Sequence, residues 1–143
     1  MIIGYVPGSF DMFHIGHLNL LRKAKEQCDY LIVAVSTDEL IQRAKNKLPV
    51  IPFAERCEIV EAIKYVDRVV PQEDKDKILA WEKYKFDRVF VGSDWKGTAL
   101  WKHFEEQLAP LGAKIVYFDY TEGISSTILR ARLVQELTSK TEA

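Results

Sequence analysis

Two of the three histidines in the 143-residue chain, His14 and His17, lie close together in the stretch GSFDMFHIGH (8–17). Side chains three residues apart share one side of a helix, so both imidazoles can project from a first helical turn. Such a pair can donate hydrogen bonds to phosphate oxygens as negative charge grows in a transition state. The alternatives are ordinary core or solvent-exposed histidines, or a metal site, although zinc usually takes three or four ligands and His103 lies in another predicted helix. The stretch therefore predicts a site that handles phosphate.

The residues around the histidine pair suit the same chemistry. Gly8 allows a sharp turn or the close approach of a ligand to the backbone, and Ser9 offers a hydroxyl and an N–H group. Gly16 leaves room for a bulky anion, and the N–H groups at the start of the helix face the same place. Asp11 has an alternative role, which is to brace the turn through backbone N–H groups. The glycine patterns of dinucleotide-binding and P-loop proteins are absent, so a nucleotide would be held by other groups.

Short apolar runs alternate with longer amphipathic stretches along the chain. The runs have little polar alternation, which is typical of parallel strands covered on both faces. These predicted strands are residues 2–6, 30–36, 68–70, 88–92 and 114–119. The predicted helices are residues 15–27, 53–64, 75–84, 98–109 and 126–138. The alternation predicts an α/β fold, a doubly wound sandwich with a mainly parallel five-stranded sheet. Ligands of such sheets bind at the carboxyl ends of the strands, which is where the histidine pair falls.

Composition and charge argue against several classes of protein. The formal net charge of −1 gives no basic field for nucleic acid, and no apolar run approaches the roughly 20 residues of a membrane span. The two cysteines, Cys28 and Cys57, have neither metal-like nor redox-like spacing, and the N-terminus lacks the charged region of a signal peptide. We therefore expect a cytoplasmic protein that binds neither nucleic acid nor membranes, with a single domain at 1–138 and a disordered tail at 139–143.

The stretch GSFDMFHIGH resembles the signature of the nucleotidyltransferase superfamily that includes the cytidylyltransferases. Four later segments fall in the order expected of glycerol-3-phosphate cytidylyltransferases, and they are residues 22–39, 56–71, 89–97 and 120–133. The resemblance implies a Rossmann-like fold and the transfer of CMP from CTP to a small phosphorylated alcohol, with release of pyrophosphate. It also implies Mg²⁺ bound through the triphosphate, and a homodimer formed near residues 56–70.

The resemblance also implies roles for particular residues. His14 and His17 are expected to stabilise charge on the α- and β-phosphates. Lys45 lies on the basic, proline-containing crossover 40–56 and is expected to hold the triphosphate. These three are the expected catalytic residues. The expected nucleotide-binding residues are Gly8, Ser9, Phe10, Asp11, Gly16, Thr121, Gly123, Ile124, Ser125, Ser126 and Thr127. The expected substrate-binding residues are Lys47, Arg56, Lys64, Asp94 and Trp95. No residue is expected to bind a metal directly.

Several of these assignments have a structural alternative. The hydroxyl-rich residues 125–127 would cap a helix whatever the function, and the lysines at 45 and 47 belong to a basic run that could simply be solvated. Arg56 could pair with a carboxylate instead of a substrate phosphate. Residues 94–95 could pack and cap the following helix.

Some positions depart from the pattern of the glycerol-3-phosphate enzymes. Those enzymes usually have a small residue at the position of Pro7, threonine at that of Ser9, and arginine at those of Lys64 and Tyr120. Losing an arginine removes a bidentate phosphate contact that lysine cannot replace. The acceptor, and to a smaller extent the base, therefore stay open. The alternatives are an adenylyltransferase that acts on a sugar phosphate or a cofactor precursor, and a non-catalytic nucleotide-binding sensor.

Overall fold

Parallel strands alternate with helices along the part of the chain that the computed structural model describes, which is residues 1–119 and 131–137. The strands are β1 (Ile3–Gly8), β2 (Tyr30–Ser36), β3 (Arg68–Gln72), β4 (Arg88–Gly92) and β5 (Lys114–Phe118). The helices are α1 (Ile15–Glu26), α2 (Asp38–Lys45), α3 (Phe53–Glu61), α4 (Lys77–Tyr84) and α5 (Ala99–Leu108). Residues 131–137 are also helical.

The strand order β3-β2-β1-β4-β5 places β1 at the centre of the sheet. The chain builds outward from β1 to β3 and then crosses back to add β4 and β5 on the other side, with every neighbouring pair parallel. The order therefore reverses between β1 and β4, and ligands of such sheets bind in the crevice at the carboxyl ends of these strands. The predicted α/β fold with a parallel five-stranded sheet is confirmed.

Two apolar cores cover the two faces of the sheet, because successive residues of a strand point to opposite faces. On β1, Tyr5 packs in one core with Trp101 and Phe104 of α5. Its neighbour Val6 packs in the other core with Leu21 of α1. Burial on both faces explains why the strands are unbroken apolar runs in the sequence.

Part of the predicted crossover 40–56 is helical, which corrects the sequence analysis. Thr37 caps α2, since its side-chain oxygen accepts a hydrogen bond from the backbone N–H of Leu40 at 3.1 Å. Leu40 and Ile41 are buried against the rest of the molecule. Asn46 ends the helix in the left-handed conformation, with φ 53°. The irregular part of the crossover is thereby confined to the segment between α2 and α3.

The other element boundaries lie within a few residues of the prediction. Strand β1 continues to Gly8 and β3 continues to Gln72, so both reach further toward the carboxyl edge of the sheet than expected. Helix α3 ends earlier than expected, at Glu61. The longer strands bring Gly8 and Gln72 to the edge at which ligands bind.

The C-terminal part of the chain is described only in part. The helical residues 131–137 fall inside the predicted helix 126–138. The hydroxyl-rich residues 121–127 and the predicted tail 139–143 lie outside the described residues. Within the described ranges, no helix has both the length and the apolar character needed to cross a membrane.

Candidate active site

The loop of residues 9–14, the histidine loop, joins β1 to α1 at the carboxyl edge of the sheet. Phe10 and Met12 adopt left-handed backbone conformations in this loop, with φ 54° and 50°, and bulky side chains rarely do so. The ring of Phe10 is buried, and a Cβ atom on Gly8 would lie only 3.0 Å from it. A larger residue at position 8 would therefore press against this ring. Strained backbone of this kind clusters at binding sites, where the surrounding structure holds it in place.

His14 and His17 hold each other at the start of α1. The Nδ1 atom of His14, the N-cap residue, accepts a hydrogen bond from the backbone N–H of Gly16 at 3.0 Å. The Nδ1 atom of His17 accepts from the backbone N–H of His14 at 3.1 Å, which completes a capping box. The two ring centroids lie 3.9 Å apart, with 27° between the ring planes. Since Nδ1 is the acceptor in each neutral ring, Nε2 carries the proton and is the atom that can donate to a ligand.

Burial keeps both imidazoles uncharged near neutral pH. Desolvation, followed by repulsion from His14, lowers the pKa of His17 to about 4, and Asp11 opposes this shift. Desolvation also lowers the pKa of His14. In the unliganded protein, the pair can therefore stabilise developing negative charge as neutral hydrogen-bond donors.

Asp11 is buried and braces a neighbouring segment. Its carboxylate oxygens accept hydrogen bonds from the backbone N–H groups of Val50 and Ile51, each at 2.9 Å. These contacts fasten the histidine loop to the segment between α2 and α3. The sequence analysis gave Asp11 an alternative role, which is to brace its own turn through backbone N–H groups. Asp11 does accept from backbone N–H groups, but they belong to another segment, at Val50 and Ile51. A contact between Asp11 and a nucleotide stays a prediction.

Arg56 of α3 lies behind the histidine loop with its side chain fully buried. Its guanidinium donates to the backbone carbonyl oxygens of Ser9 at 2.7 Å, Ser36 at 2.7 Å and Ile51 at 2.8 Å. It also forms an ion pair with Asp38 at 2.6 Å. The expected contact between Arg56 and a substrate phosphate is not supported, because protein atoms occupy the guanidinium and solvent does not reach it. Pairing with a carboxylate, the alternative, is what the structure shows.

A cavity of about 240 Å³ opens beside the histidine loop at the carboxyl ends of the strands. Four residues of the predicted sets line it, and they are Gly8, Ser9, Lys45 and Trp95. Lys45 is the last residue of α2. Trp95 lies in the turn after β4, and its ring centroid is 6.0 Å from that of Trp101. Residues from β1, α2 and β4 thus meet around one small space.

Four further polar residues line this cavity and are absent from the predicted sets: Ser36, Gln72, Lys75 and Lys77. Gln72 ends β3, and Lys77 begins α4. Their position directly after a predicted parallel strand is the sequence signal that could identify them. The sequence analysis misses this signal because a predicted helix begins at residue 75, and lysine near the start of a helix is ordinarily solvent-exposed.

The other predicted substrate-binding residues do not line this cavity. Lys64 precedes β3 and so lies toward the amino edge of the parallel sheet, with its Nζ 5.3 Å from the ring centroid of Tyr65. The expected contact between Lys64 and substrate stays a prediction. Lys47 is exposed on the segment after α2. Asp94 is exposed in the turn after β4, at the edge where the prediction places it.

The helical residues 131–137 approach the histidine loop. Arg132 and Leu133 share a second cavity, of about 940 Å³, with Met12 and Phe13. The remaining predicted nucleotide-binding residues precede this helix and lie outside the described residues; they are Thr121, Gly123, Ile124, Ser125, Ser126 and Thr127. Their contact with a triphosphate stays a prediction.

The described residues do not fit a metal site built by the protein. No group of three or more His, Cys, Asp and Glu side chains in residues 1–119 and 131–137 could hold a metal ion. A metal ion bound by His14 and His17 would disrupt the N-terminal cap of α1, because each Nδ1 already accepts a backbone hydrogen bond. We therefore assign no metal ligand among these residues.

Comparison with known families identifies this arrangement. A model of the Cytidylyltransferase-like family matches residues 5–132, from β1 through the histidine loop to the C-terminal helix. The chain belongs to the Cytidylyltransferase-like family. The resemblance drawn from the sequence is thereby confirmed, and the matched residues include the histidine pair and the whole lining of the 240 Å³ cavity.

Relatives of this cytidylyltransferase-like chain match most of its length. The glycerol-3-phosphate cytidylyltransferase of Staphylococcus aureus is 37% identical over 130 residues, which are 88% of this chain and 90% of that protein. The protein of the same name from Bacillus subtilis is 38% identical over 133 residues, with 88% and 92% covered. A solved structure of the lipopolysaccharide core biosynthesis protein from Thermoplasma volcanium superposes with a TM-score of 0.70 at 26% identity, over 85% of this chain and 97% of that one.

Proposed function

We propose that this protein transfers CMP from CTP to a small phosphorylated alcohol of the glycerol 3-phosphate type, forming a CDP-alcohol and pyrophosphate. The family match and the two named relatives support this activity. The observation that carries the proposal is the pair of neutral, mutually capped histidines at the carboxyl edge of the central strand. Their Nε2–H donors suit the phosphates of a nucleotide.

In the proposed reaction, an oxygen of the acceptor phosphate attacks the α-phosphorus of CTP and forms a new P–O bond. The bond from the α-phosphorus to the bridging oxygen breaks, and its electron pair leaves with pyrophosphate. Negative charge grows on the α- and β-phosphate oxygens, to which the Nε2–H groups of His14 and His17 donate. The attacking phosphate is already anionic, so no strong general base is needed. Catalysis consists mainly of positioning and electrostatic stabilisation.

Other groups also hold the triphosphate in this proposal. Lys45 lies at the rim of the 240 Å³ cavity, which we propose to hold the acceptor and call the acceptor cavity, and it supplies a flexible point charge. The start of α1 supplies backbone N–H groups. The hydroxyls of residues 125–127, which lie outside the described residues, are assigned to the same triphosphate from the sequence resemblance. Mg²⁺ enters with the substrate, held by phosphate oxygens, because triphosphates bind it in this way.

A screen of nucleotides and acceptors tests the function. The protein is incubated with magnesium, radiolabelled CTP or ATP, and either glycerol 3-phosphate or other small phosphorylated alcohols. We expect a labelled CDP-alcohol and pyrophosphate from CTP, and little product from ATP. Transfer from ATP alone would show an adenylyltransferase instead. Tight binding of CTP without product from any acceptor would show a nucleotide sensor.

We also propose a homodimer whose interface includes α3. Ile59 of α3 is 43% exposed and Leu133 is 52% exposed. Both line the cavity that Met12 and Phe13 border, so the apolar surface is continuous. Contiguous exposed apolar surface is typical of interaction sites, and α3 belongs to the segment that the sequence resemblance associates with dimer formation.

A further inference from the structure

Lys77 lies on the floor of the acceptor cavity and is almost completely buried, with 3% of its surface exposed. Gln72 and Trp101 are buried beside it, whereas Lys45 and Lys75 are exposed at the rim. Lysine is rarely buried to this extent without an ionic partner. The position therefore needs an explanation that ordinary packing does not supply.

The immediate contacts of the Lys77 ammonium group are all uncharged. Its Nζ donates hydrogen bonds to Oε1 of Gln72 at 3.1 Å and to the backbone oxygen of Lys75 at 2.7 Å. It lies 5.5 Å from the ring centroid of Trp101 and 5.9 Å from that of Phe104. In the part of the chain that the structure describes, no carboxylate lies within ion-pair distance of Nζ.

The charged groups that influence Lys77 lie on its own turn. Desolvation, followed by repulsion from Lys75, lowers the pKa of Lys77 to about 8, while Asp76 and Asp74 oppose the shift. From α2, Lys45 faces the same cavity. The packed residues of α5, Trp101 and Phe104, bring no charge. Lys77 is therefore mostly protonated at pH 7 and has no ionic partner among residues 1–119 and 131–137.

A buried ammonium group without a counter-ion opposes folding, because it loses hydration that neutral hydrogen bonds replace only in part. An apolar side chain would serve the fold better at this position. Groups with perturbed ionisation in a cleft are candidates for a functional role. The acceptor cavity is lined by three lysines, and none of its described lining residues is acidic. An anion would supply the missing charge.

The size and place of the acceptor cavity indicate which ligand brings that anion. Its volume of about 240 Å³ is below the roughly 300–1,000 Å³ of pockets for drug-sized ligands, so it suits a small acceptor better than a nucleoside triphosphate. Gly8 and Ser9 line it and lead directly into the histidine loop. A molecule bound there would lie beside the groups that we assign to the phosphates of CTP.

Resting on the proposed cytidylyl transfer, we propose that Lys77 is the buried counter-ion for an anionic oxygen group of the acceptor. The ammonium group and the oxyanion neutralise each other in the cavity through charge-assisted hydrogen bonds. Lys77 thereby selects acidic acceptors over neutral ones. The anionic group is one of two groups of the acceptor. It is either the phosphate or a second acid, such as a carboxylate, at the other end of the acceptor.

Proton uptake on acceptor binding tests this pairing without any turnover. Glycerol 3-phosphate and 3-phosphoglycerate are titrated into the protein by calorimetry at pH 8, without CTP, in two buffers of different ionisation enthalpy. Because Lys77 is then about half protonated, pairing with an anion draws up to about half a proton from the buffer. Lys77→Met is expected to abolish the uptake. The control Lys83→Met, at an exposed lysine of the same helix, is expected to retain it. Equal or absent uptake in the parent and Lys77→Met overturns the proposal.

Acceptor kinetics separate the two sources of the anion. Glycerol 3-phosphate and 3-phosphoglycerate share the phosphate and differ in the carboxylate. If Lys77 holds the phosphate, Lys77→Met raises the KM for both acceptors by roughly 10- to 100-fold, with the KM for CTP unchanged. If Lys77 holds a second acid, the increase is confined to 3-phosphoglycerate. An unchanged KM for both acceptors contradicts the proposal.

Folding is checked independently of activity. Lys77→Met is expected to melt no lower than the parent at pH 7, because it removes a buried charge, and Lys77→Gln is a second neutral variant that keeps a donor for Gln72. A parent protein that takes up protons with an acceptor but releases no pyrophosphate from CTP would contradict the proposed function and leave the pairing intact. Turnover of CTP without proton uptake would contradict the pairing alone.

Discussion

The two imidazoles have a structural and a proposed chemical role that use different ring atoms. Each Nδ1 accepts a backbone N–H, so His14 and His17 together begin α1. Each Nε2 carries the proton that we assign to the substrate phosphates. A replacement side chain with an acceptor in the place of Nδ1 but no donor in the place of Nε2 should therefore lower turnover. The start of α1 should stay intact.

The substitution His14→Asn separates these two roles. Asparagine is among the best N-cap residues, so its side-chain oxygen can replace Nδ1 as the acceptor for Gly16. We expect the free energy of unfolding to change by less than about 1 kcal/mol. Turnover should fall by roughly 10²- to 10³-fold, which is the effect of losing one charge-stabilising donor. Pyrophosphate release and urea unfolding measure the two effects, with His103→Asn as the control. Near-normal turnover in His14→Asn would remove this histidine from the mechanism.

The substitution His17→Gln tests the ionisation of the pair. The pKa of folded His17, about 4, lies below the ordinary value of 6.5, so the unfolded chain binds its proton first as the pH falls. The contribution of His17 to stability is therefore complete above pH 6.5 and is lost as the pH falls toward 4. Glutamine keeps the capping-box acceptor but does not titrate. In urea unfolding between pH 6.5 and 4.5, the parent should lose more stability than His17→Gln. Parallel losses in the two proteins would contradict the shifted pKa.

At the scale of the elements, Arg56 of α3 connects three parts of the site. Its guanidinium holds the backbone of the histidine loop at Ser9 and the end of β2 at Ser36. Its third partner, the Asp38 carboxylate, lies at the start of α2, the helix that carries Lys45. Arg56 thus positions elements whose side chains we assign to substrate, although it lies too deep to touch substrate itself.

Replacing the guanidinium should therefore lower the free energy of unfolding more than it changes the binding of any one substrate. Arg56→Leu leaves three carbonyl groups without a donor and one carboxylate without its cation. The carboxylate of Asp38 is 32% exposed, so the main cost comes from buried carbonyl groups that lose a hydrogen bond, at about 1–3 kcal/mol each. We expect a loss of at least about 3 kcal/mol in urea unfolding. Arg43→Leu is the control, since Arg43 is exposed and donates to the backbone oxygen of Glu73. A folded Arg56→Leu protein with parental stability and a raised acceptor KM would instead show that Arg56 binds substrate.

At the scale of the whole molecule, the fold could be predicted because parallel strands buried on both faces appear as unbroken apolar runs. Helix α2 was harder to predict, since short helices depend on tertiary packing more than on their own propensity. His14 and His17 could be found because their type and spacing define what they can do. For Arg56 the sequence offered a carboxylate partner as an alternative, but neither its carbonyl partners nor the burial of Lys77 could be predicted, because both depend on which carbonyl groups and rings surround the cation. Only the folded chain determines those neighbours.

The proposed homodimer is a property of the whole molecule, and one surface substitution tests it. Sedimentation of the parent should give twice the chain mass of 16.5 kDa. Ile59 is 43% exposed in the apolar surface around α3, so Ile59→Glu would place a charge in the proposed interface, where an unpaired buried charge is costly. We expect this variant to sediment as a monomer. The control is Leu79→Glu, because Leu79 is equally exposed, at 45%, but lies on α4. A parent that sediments as a monomer, or an Ile59→Glu variant that stays dimeric, would exclude this surface as the interface.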